Sequence, residues 1–511
     1  MQIKGNQLKI GVILSYVSMA LNMIIQLTYT PIMIHLLGQS EYGLYTLVGS
    51  VVSYLSLFSL GFTGAYLRFY SRYMQQGDSI GVARLNGMFL TLFLCMSVVA
   101  LLCGMILSWF ANQLFGSNLT LAELEKSQIL MRILVVNIAL TFPSSVFDSV
   151  VSAHEQFLFQ RILQLAGVIF NPLLCLPLLL LGYGSIAVVT VTTVITILKL
   201  TVNILFCLKK LRVPFDFRHF NFPLLKEIGS FSFFLFLNMI IDQANWSVDK
   251  FILGRVSGTA AVAVYGVGSQ INSLFINFST AISSVFSPRV NRIAASGEKT
   301  MSNQFTELFI KIGRIQFMVL GLIASGFLFF GEYFITDIYA SCEYKEAYIV
   351  ALLLILPAMI PLIQNVGIEI QRSVNKHEFR SVVYLSMAVI NTIISIPLSS
   401  KYGPSGASLG TAISLLLANG LIMNIYYQKV IRISIGDFWR SILRLSRGLI
   451  LPCILGAFIL NIGFHSLSDF ILWVFIYSIV YVLSFSFFGM NQEEKTMLLN
   501  VFGKLKFVRN R

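Results

Sequence analysis

Runs of roughly 20 predominantly apolar residues recur along almost the whole chain, and each is long enough to cross the ~30 Å hydrocarbon core of a bilayer as an α-helix. Fourteen such spans can be placed, at about 10–36, 43–67, 87–110, 128–150, 162–182, 184–208, 229–254, 260–287, 310–331, 347–370, 380–399, 404–428, 441–464 and 467–489. Only 11% of the residues are charged while 56% are hydrophobic, so there is too little polar surface to cover a water-soluble domain. The spans are continuously apolar rather than alternating, which excludes a membrane β-barrel and leaves helices as the way to satisfy every backbone group in lipid. The first span is too long for a signal-peptide core and lacks a small-residue cleavage site, so a retained helix is expected. Six cysteines (Cys95, Cys103, Cys175, Cys207, Cys342, Cys453) form no C-x-x-C pair and fall mostly inside spans, as packing residues do.

The formal charge of +14 is distributed by side. Lys4, Lys9, Arg68, Arg72, Arg84, Lys209, Lys210, Arg212, Arg218 and Lys226 lie in alternate connections. With them fall Arg289, Arg292, Lys299, Lys311, Arg314, Arg372, Lys376, Arg380 and the basic segments after Tyr427. The opposite connections hold only Lys126, Arg255, Lys345 and Lys401. By the positive-inside rule both termini are cytoplasmic, as an even number of spans requires. The basic excess therefore orients the chain and faces anionic lipid, and no nucleic-acid partner is expected.

Shifted by 220 positions, the chain matches itself: Tyr45 meets Tyr265, Arg72 meets Arg292, Asn171 meets Asn391, Pro177 meets Pro397, Lys209 meets Lys429 and Arg212 meets Arg432. Upstream an offset of 216 aligns the "LLG" ending at Gly38 with the "ILG" ending at Gly254, and Asn22 with Asn238. Six spans separate the copies, so both run in the same sense through the membrane. The expected architecture is an all-α polytopic protein of two pseudo-symmetric six-helix lobes in parallel repeat, residues 1–215 and 216–433. Two extra C-terminal helices and a basic cytoplasmic tail fill 434–511, and the lobes flank a central cleft. Parallel repeats of this kind rock around a midplane site in secondary transporters.

Specific stretches carry a resemblance. "LLGQSEYGLYTLVGSVVSYLSLFSLGFTGAYLRFYSRY", "DKFILGRVSGTAAVAVYGVGSQI" at Asp249 to Ile271, and "QRSVNKHEFRS" followed by "KYGPSGASLGTAIS" resemble the polysaccharide-biosynthesis transporters of the multidrug/oligosaccharidyl-lipid/polysaccharide exporter superfamily. Within it the chain is most similar to the flippases of O-antigen and capsule repeat units, over most of both lobes. The resemblance implies movement of an undecaprenyl-pyrophosphate-linked oligosaccharide from the inner to the outer leaflet of a bacterial inner membrane. It also implies pathway glycosyltransferases and a polymerase as candidate partners. His35 stands where such proteins often carry a basic residue before "LLG".

Charged groups are costly in lipid, so each intramembrane ionisable residue is a site candidate. Asn238, Asp242, Asn245 and Asp249 follow steps of 4, 3 and 4 and share one helical face, with Lys250 beside them. Asn22, Gln26 and Tyr29 form the matching stripe on the first span. Such stripes can line a substrate and ion pathway, or act as hydrogen-bonding glue between helices. Asp242 is the expected titratable member if transport is coupled to H+ or Na+. Lys199 lies about nine residues from the inner end of its span, where it either meets a pyrophosphate or snorkels to the interface. Arg68 and Arg289 end spans at the cytoplasmic mouth, as phosphate contacts or topology anchors. Glu369 and Arg372 share a face with Asn365 below Pro357 and Pro361, and can simply pair with each other.

Catalytic readings fail. His154-Glu155 and His377-Glu378 begin a zincin-like pair, but Leu158 and Ser381 occupy the position of the second metal ligand. "SGEKT" at 296–300 has Glu298 where a P-loop needs glycine before its lysine. With no expected cofactor, metal or ATP motor, three functions remain: a lipid-linked glycan flippase, a multidrug cation exporter, and a noncatalytic scaffold of a glycan-assembly complex.

Overall fold

The computed structural model describes residues 2–218, 222–295, 298–376 and 378–496. The described residues form helices joined by short turns, with no strand among them. The principal ones are α1 (Gln2–Leu37), α2 (Gln39–Ser53), α3 (Phe62–Gln75), α4 (Ser79–Trp109), α5 (Leu121–Ala153), α6 (Phe157–Leu180), α7 (Gly184–Leu205) and α8 (Phe222–Ser284). They continue as α9 (Ser287–Ala294), α10 (Glu298–Tyr333), α11 (Lys345–Ile363), α12 (Val366–Ser373), α13 (Glu378–Leu415), α14 (Ile435–Ser446), α15 (Ile450–Ile462) and α16 (Leu467–Ser484). Twelve helical stretches among the described residues are long and apolar enough to cross a membrane. Two of these cover what the sequence divides into two spans each. α8, at 63 residues, would run ~95 Å as one rod, about three bilayer cores, and it turns at Gly258 (φ 83°, ψ −176°). The stretch Glu378–Ile431 turns at Gly403 (φ 56°, ψ −135°). The expectation of fourteen spans treats the two sides of each break as separate crossings.

The internal repeat is written into the backbone. Left-handed residues occur in pairs 220 apart: Gly38 and Gly258, Glu155 and Asn375, Arg212 and Arg432. The upstream offset of 216 placed the second outer turn at Gly254, but the helix runs on through Gly254, whose Cα faces Leu47, and breaks four residues later. A positive φ without strain needs a residue lacking Cβ, and Gly258 supplies it as Gly38 does. Matching hydrogen bonds follow the same spacing to within one residue. Asn171 Nδ2 donates to Thr192 Oγ1 at 3.2 Å and Asn391 Nδ2 to Thr411 Oγ1 at 3.3 Å. Asn86 Nδ2 donates to the Pro214 carbonyl at 3.1 Å, and at the equivalent place the Ser434 amide donates to Thr306 Oγ1 at 3.2 Å.

Contacts divide the chain into residues 1–266 with 392–407, and 267–391 with 408–511. In the first unit α5 is central, packed on α4, α7 and α2, while α1 lies along α6. Its start is fixed by a reciprocal cap: the Glu123 amide donates to Thr120 Oγ1 at 3.3 Å and the Thr120 amide to Glu123 Oε2 at 2.8 Å. The turns at one end of this unit converge on two carboxylates. Glu123 Oε1 accepts from Ser40 Oγ at 2.5 Å and Thr259 Oγ1 at 2.7 Å. Glu41 Oε1 accepts from the Ser185 amide at 2.5 Å and hydroxyl at 2.8 Å, and pairs with Lys126 at 2.5 Å. α2 crosses the 259–263 backbone at Gly43, where an added Cβ would overlap the Thr259 carbonyl.

In the second unit α10 is central, packed on α11, α14, α15 and α16. Midway along it stands Arg314, whose side chain is 8% exposed and pairs with the 7%-exposed Glu494. Nearby Lys311 lies 2.7 Å from Glu493 and holds that carboxyl below its ordinary range. Pro357 and Pro361 lie in α11, which stops two residues after Pro361. The Leu362 carbonyl at the break is taken up by Ser279 Oγ at 3.2 Å.

Candidate functional site

Along α7 the residues Val194, Leu198 and Leu205 are 44%, 56% and 46% exposed, and they form one apolar stripe suited to lipid. On the far side of the same helix a polar stripe runs Thr192, Thr196, Lys199 and Asn203, with steps of 4, 3 and 4. Lys199 is ~140° around the helix from Val194 but only ~60° from Val202, 40% exposed, so it stands at the edge of the polar stripe, next to the exposed apolar one. α5 answers this face with Asn137 and Asp148, eleven residues or three turns apart.

Together these side chains make a polar seam through the first unit. At one end Lys199 Nζ donates to Asp148 Oδ2 at 2.8 Å, and Asn203 Nδ2 donates to Asp148 Oδ1 at 2.8 Å. The ammonium and carboxylate side chains remain 40% and 24% exposed. Higher up, Asn137 Nδ2 donates to Thr196 Oγ1 at 3.0 Å, with Thr193 Oγ1 at 3.4 Å. Asn171 of α6 reaches Thr192, and Cys175 Sγ donates to Asn171 Oδ1 at 3.7 Å. The Tyr29 hydroxyl of α1 sits beside the Cys175 thiol. The seam thus connects Tyr29 and Lys199, which the sequence marked separately.

The remaining candidates are more dispersed. On α1, Asn22 Nδ2 donates to the Ser18 carbonyl at 2.9 Å, within its own helix, and Gln26 is half-buried. The side chains of Asn238, Asp242 and Asn245 lie outside the described residues. Asp249 is 1% exposed and accepts from Tyr265 Oη at 2.8 Å, across the Gly258 turn; Lys250 adjoins it and is half-buried. Six residues before Asp249, Gln243 Nε2 donates to Ser53 Oγ at 2.5 Å and Ser247 Oγ at 2.6 Å, linking α8 to α2. Arg68 and Arg289 are exposed. Arg372 Nη1 donates to Glu369 Oε1 at 3.0 Å, and Glu369 Oε2 accepts from Ser287 Oγ at 3.0 Å, so these two charges pair on α12. His35 points one ring nitrogen at the Pro31 carbonyl, 2.8 Å away.

Sequence reasoning missed Asp148, although an acid inside a span was itself the signal used for Asp242. It also missed the stripe at 192, 196, 199 and 203. Threonines satisfy the hydropathy of a span while carrying hydroxyls, so the period was hidden inside an apolar run.

The described residues thus combine helices alone, a 220-residue repeat visible in the backbone turns, and a half-buried polar seam within the first unit. The chain belongs to the family described as polysaccharide biosynthesis protein, whose model matches residues 8–294. A relative from Shigella flexneri named "Putative O-antigen transporter" is 20% identical over 402 residues, 77% of this chain and 91% of its own. Among solved structures, the lipid II flippase MurJ in an inward closed conformation matches with a TM-score of 0.73 at 16% identity, over 94% of this chain and 98% of its own. An inward-facing multidrug resistance transporter of the MATE family matches at 0.59 and 14% identity, over 82% and 99%. These two likenesses establish the fold.

Proposed function

We propose that the protein moves a polyprenyl-diphosphate-linked oligosaccharide repeat unit from the inner to the outer leaflet of a bacterial cytoplasmic membrane, by alternating access, for surface polysaccharide assembly. The family match across residues 8–294, joined to the similarity with the O-antigen transporter relative over nine-tenths of that protein, carries this reading. The cargo has an anionic headgroup and a polar glycan. A seam of threonine and asparagine hydroxyls and amides ending in a lysine at its cytoplasmic end offers hydrogen bonds to the second and a cation to the first. Asp242 is the residue proposed to couple movement to H+ or Na+, since an ion shifts a two-state equilibrium only by binding its states differently. Pathway glycosyltransferases and a polymerase are the proposed partners, and both termini are proposed to be cytoplasmic.

Deletion in the source cell tests the reading. Surface glycan is expected to fall while the diphosphate-linked repeat unit accumulates inside; unchanged surface glycan would refute it. Asp242→Asn should reproduce the loss with normal protein levels. Export of organic cations, with glycan untouched, would instead establish the multidrug reading, and loss of glycan without any loss of translocation would establish a scaffold.

A further inference from the structure

We infer that Asp148 is an internal competitor for the substrate's diphosphate: its carboxylate occupies Lys199 when the protein is empty, and the incoming anionic headgroup must take its place. The inference rests on the flippase reading and deepens it. Lys199 is the only cation on the α7 polar stripe, and its ammonium is already engaged at 2.8 Å by Asp148 Oδ2. A diphosphate approaching the pair meets a carboxylate and an ammonium whose charges cancel, so binding cannot simply add to the site. It must exchange one acceptor for another.

The geometry suits exchange. Asp148 has a second partner, Asn203 Nδ2, on its other oxygen, so the carboxylate stays hydrogen-bonded when it releases the ammonium. The cost of release is therefore smaller than leaving a buried charge with no donor. Lys199, at 40% exposed, has donors left over, because an ammonium carries three and Asp148 uses one. Both residues are part-exposed, the carboxylate 24% and the ammonium 40%, so an anion can reach the pair without a buried group being uncovered. The Cys207 thiol also neighbours Asp148 and donates to the Phe147 carbonyl at 3.9 Å. His154, one and a half turns on, is turned to Tyr70 at 3.2 Å. The second repeat carries no such competition: Asn419, at the position equivalent to Lys199, is neutral and accepts from Tyr384 Oη at 2.6 Å. Only the first repeat thus couples a cation to a displaceable carboxylate in this place.

Competition of this kind lowers apparent affinity by the fraction of time the ammonium is held. A half-exposed pair worth up to about 1 kcal/mol corresponds to roughly a fivefold effect. The test uses purified protein in nanodiscs and measures binding of an undecaprenyl diphosphate probe. Asp148→Asn, which keeps the shape and a hydrogen-bond acceptor, is expected to bind the probe about fivefold tighter. Lys199→Gln is expected to bind it more weakly, and the double variant should behave as Lys199→Gln alone. Inorganic pyrophosphate, run in parallel, separates recognition of the lipid headgroup from that of a free anion: the inference predicts tightening for both, from a weaker start for the soluble ion. A folded Asp148→Asn that binds the probe no tighter than the native protein, or binds it worse, overturns the inference. Failure of the native protein to bind the lipid diphosphate at all overturns the flippase reading instead. Should Asp148→Asn not fold, acylation of Lys199 in the native protein, followed by mass spectrometry, gives the answer: the probe is expected to slow it, and an unaltered rate overturns the inference.

Discussion

Replacing Arg314 should destabilise the second unit more than any other single change at a charged residue there. The guanidinium donates through Nε to Glu494 Oε1 at 2.6 Å and through Nη2 to Glu494 Oε2 at 2.7 Å. It also donates to the Gly489 carbonyl at 3.0 Å and to the Ser441 carbonyl and hydroxyl at 3.1 Å. One side chain therefore joins α10 to α14 and to the segment that follows α16. In Arg314→Met the Glu494 carboxylate stays buried with the Asn491 amide, 2.9 Å away, as its remaining donor. Removing one partner of a buried pair typically costs about 3–5 kcal/mol, because the other charge is left uncompensated. Removing both costs much less, since no orphan charge remains. Equilibrium unfolding in mixed micelles, applied to Arg314→Met, Glu494→Leu and the double variant, is expected to show the double variant more stable than either single one. If the two losses simply add, the pair is not coupled and the buried bridge does not hold these helices together.

Three further outcomes are expected. Gly43→Val places a branched side chain against the Thr259 backbone, which cannot yield as a flexible side chain would, so folded protein recovered from membranes should drop sharply while Gly49→Val, with open space around it, should not. Glu123→Ala removes the acceptor shared by Ser40, Thr259 and Thr120, and should cost about 1–3 kcal/mol while raising thiol labelling of a cysteine introduced at position 257; unchanged labelling would show that these turns are held by other contacts. A cysteine at position 218, in a chain cleared of its native cysteines, should be reached by impermeant reagent only from the cytoplasmic side, and labelling in intact cells would reverse the proposed topology.

Much of the fold was legible because lipid imposes simple rules. Apolar runs marked the helices, and the 220-residue offset marked the repeat that the backbone repeats at Arg212 and Arg432. The outer turn was misplaced by four residues because "LLG" and "ILG" match in letters, whereas the turn depends on which glycine takes a positive φ. Hydropathy cannot distinguish Gly254 from Gly258. The site was only partly legible. Lys199 was visible as a lone charge, but its partner lies 51 residues away on another helix, and pairing across that distance is a product of packing. Glu369 and Arg372, three residues apart on one helix, were readable as a pair because the helical period alone brings them together.

Reconstituted translocation tests the central claim most directly. Purified protein in liposomes, supplied with a polyprenyl-diphosphate oligosaccharide in one leaflet, is expected to bring the glycan to the other leaflet, where an impermeant glycan-modifying enzyme can reach it. Lys199→Glu should slow this far more than Lys199→Gln, because repulsion is added to lost attraction. Liposomes that accumulate organic cations while the glycan stays in its original leaflet would contradict the account.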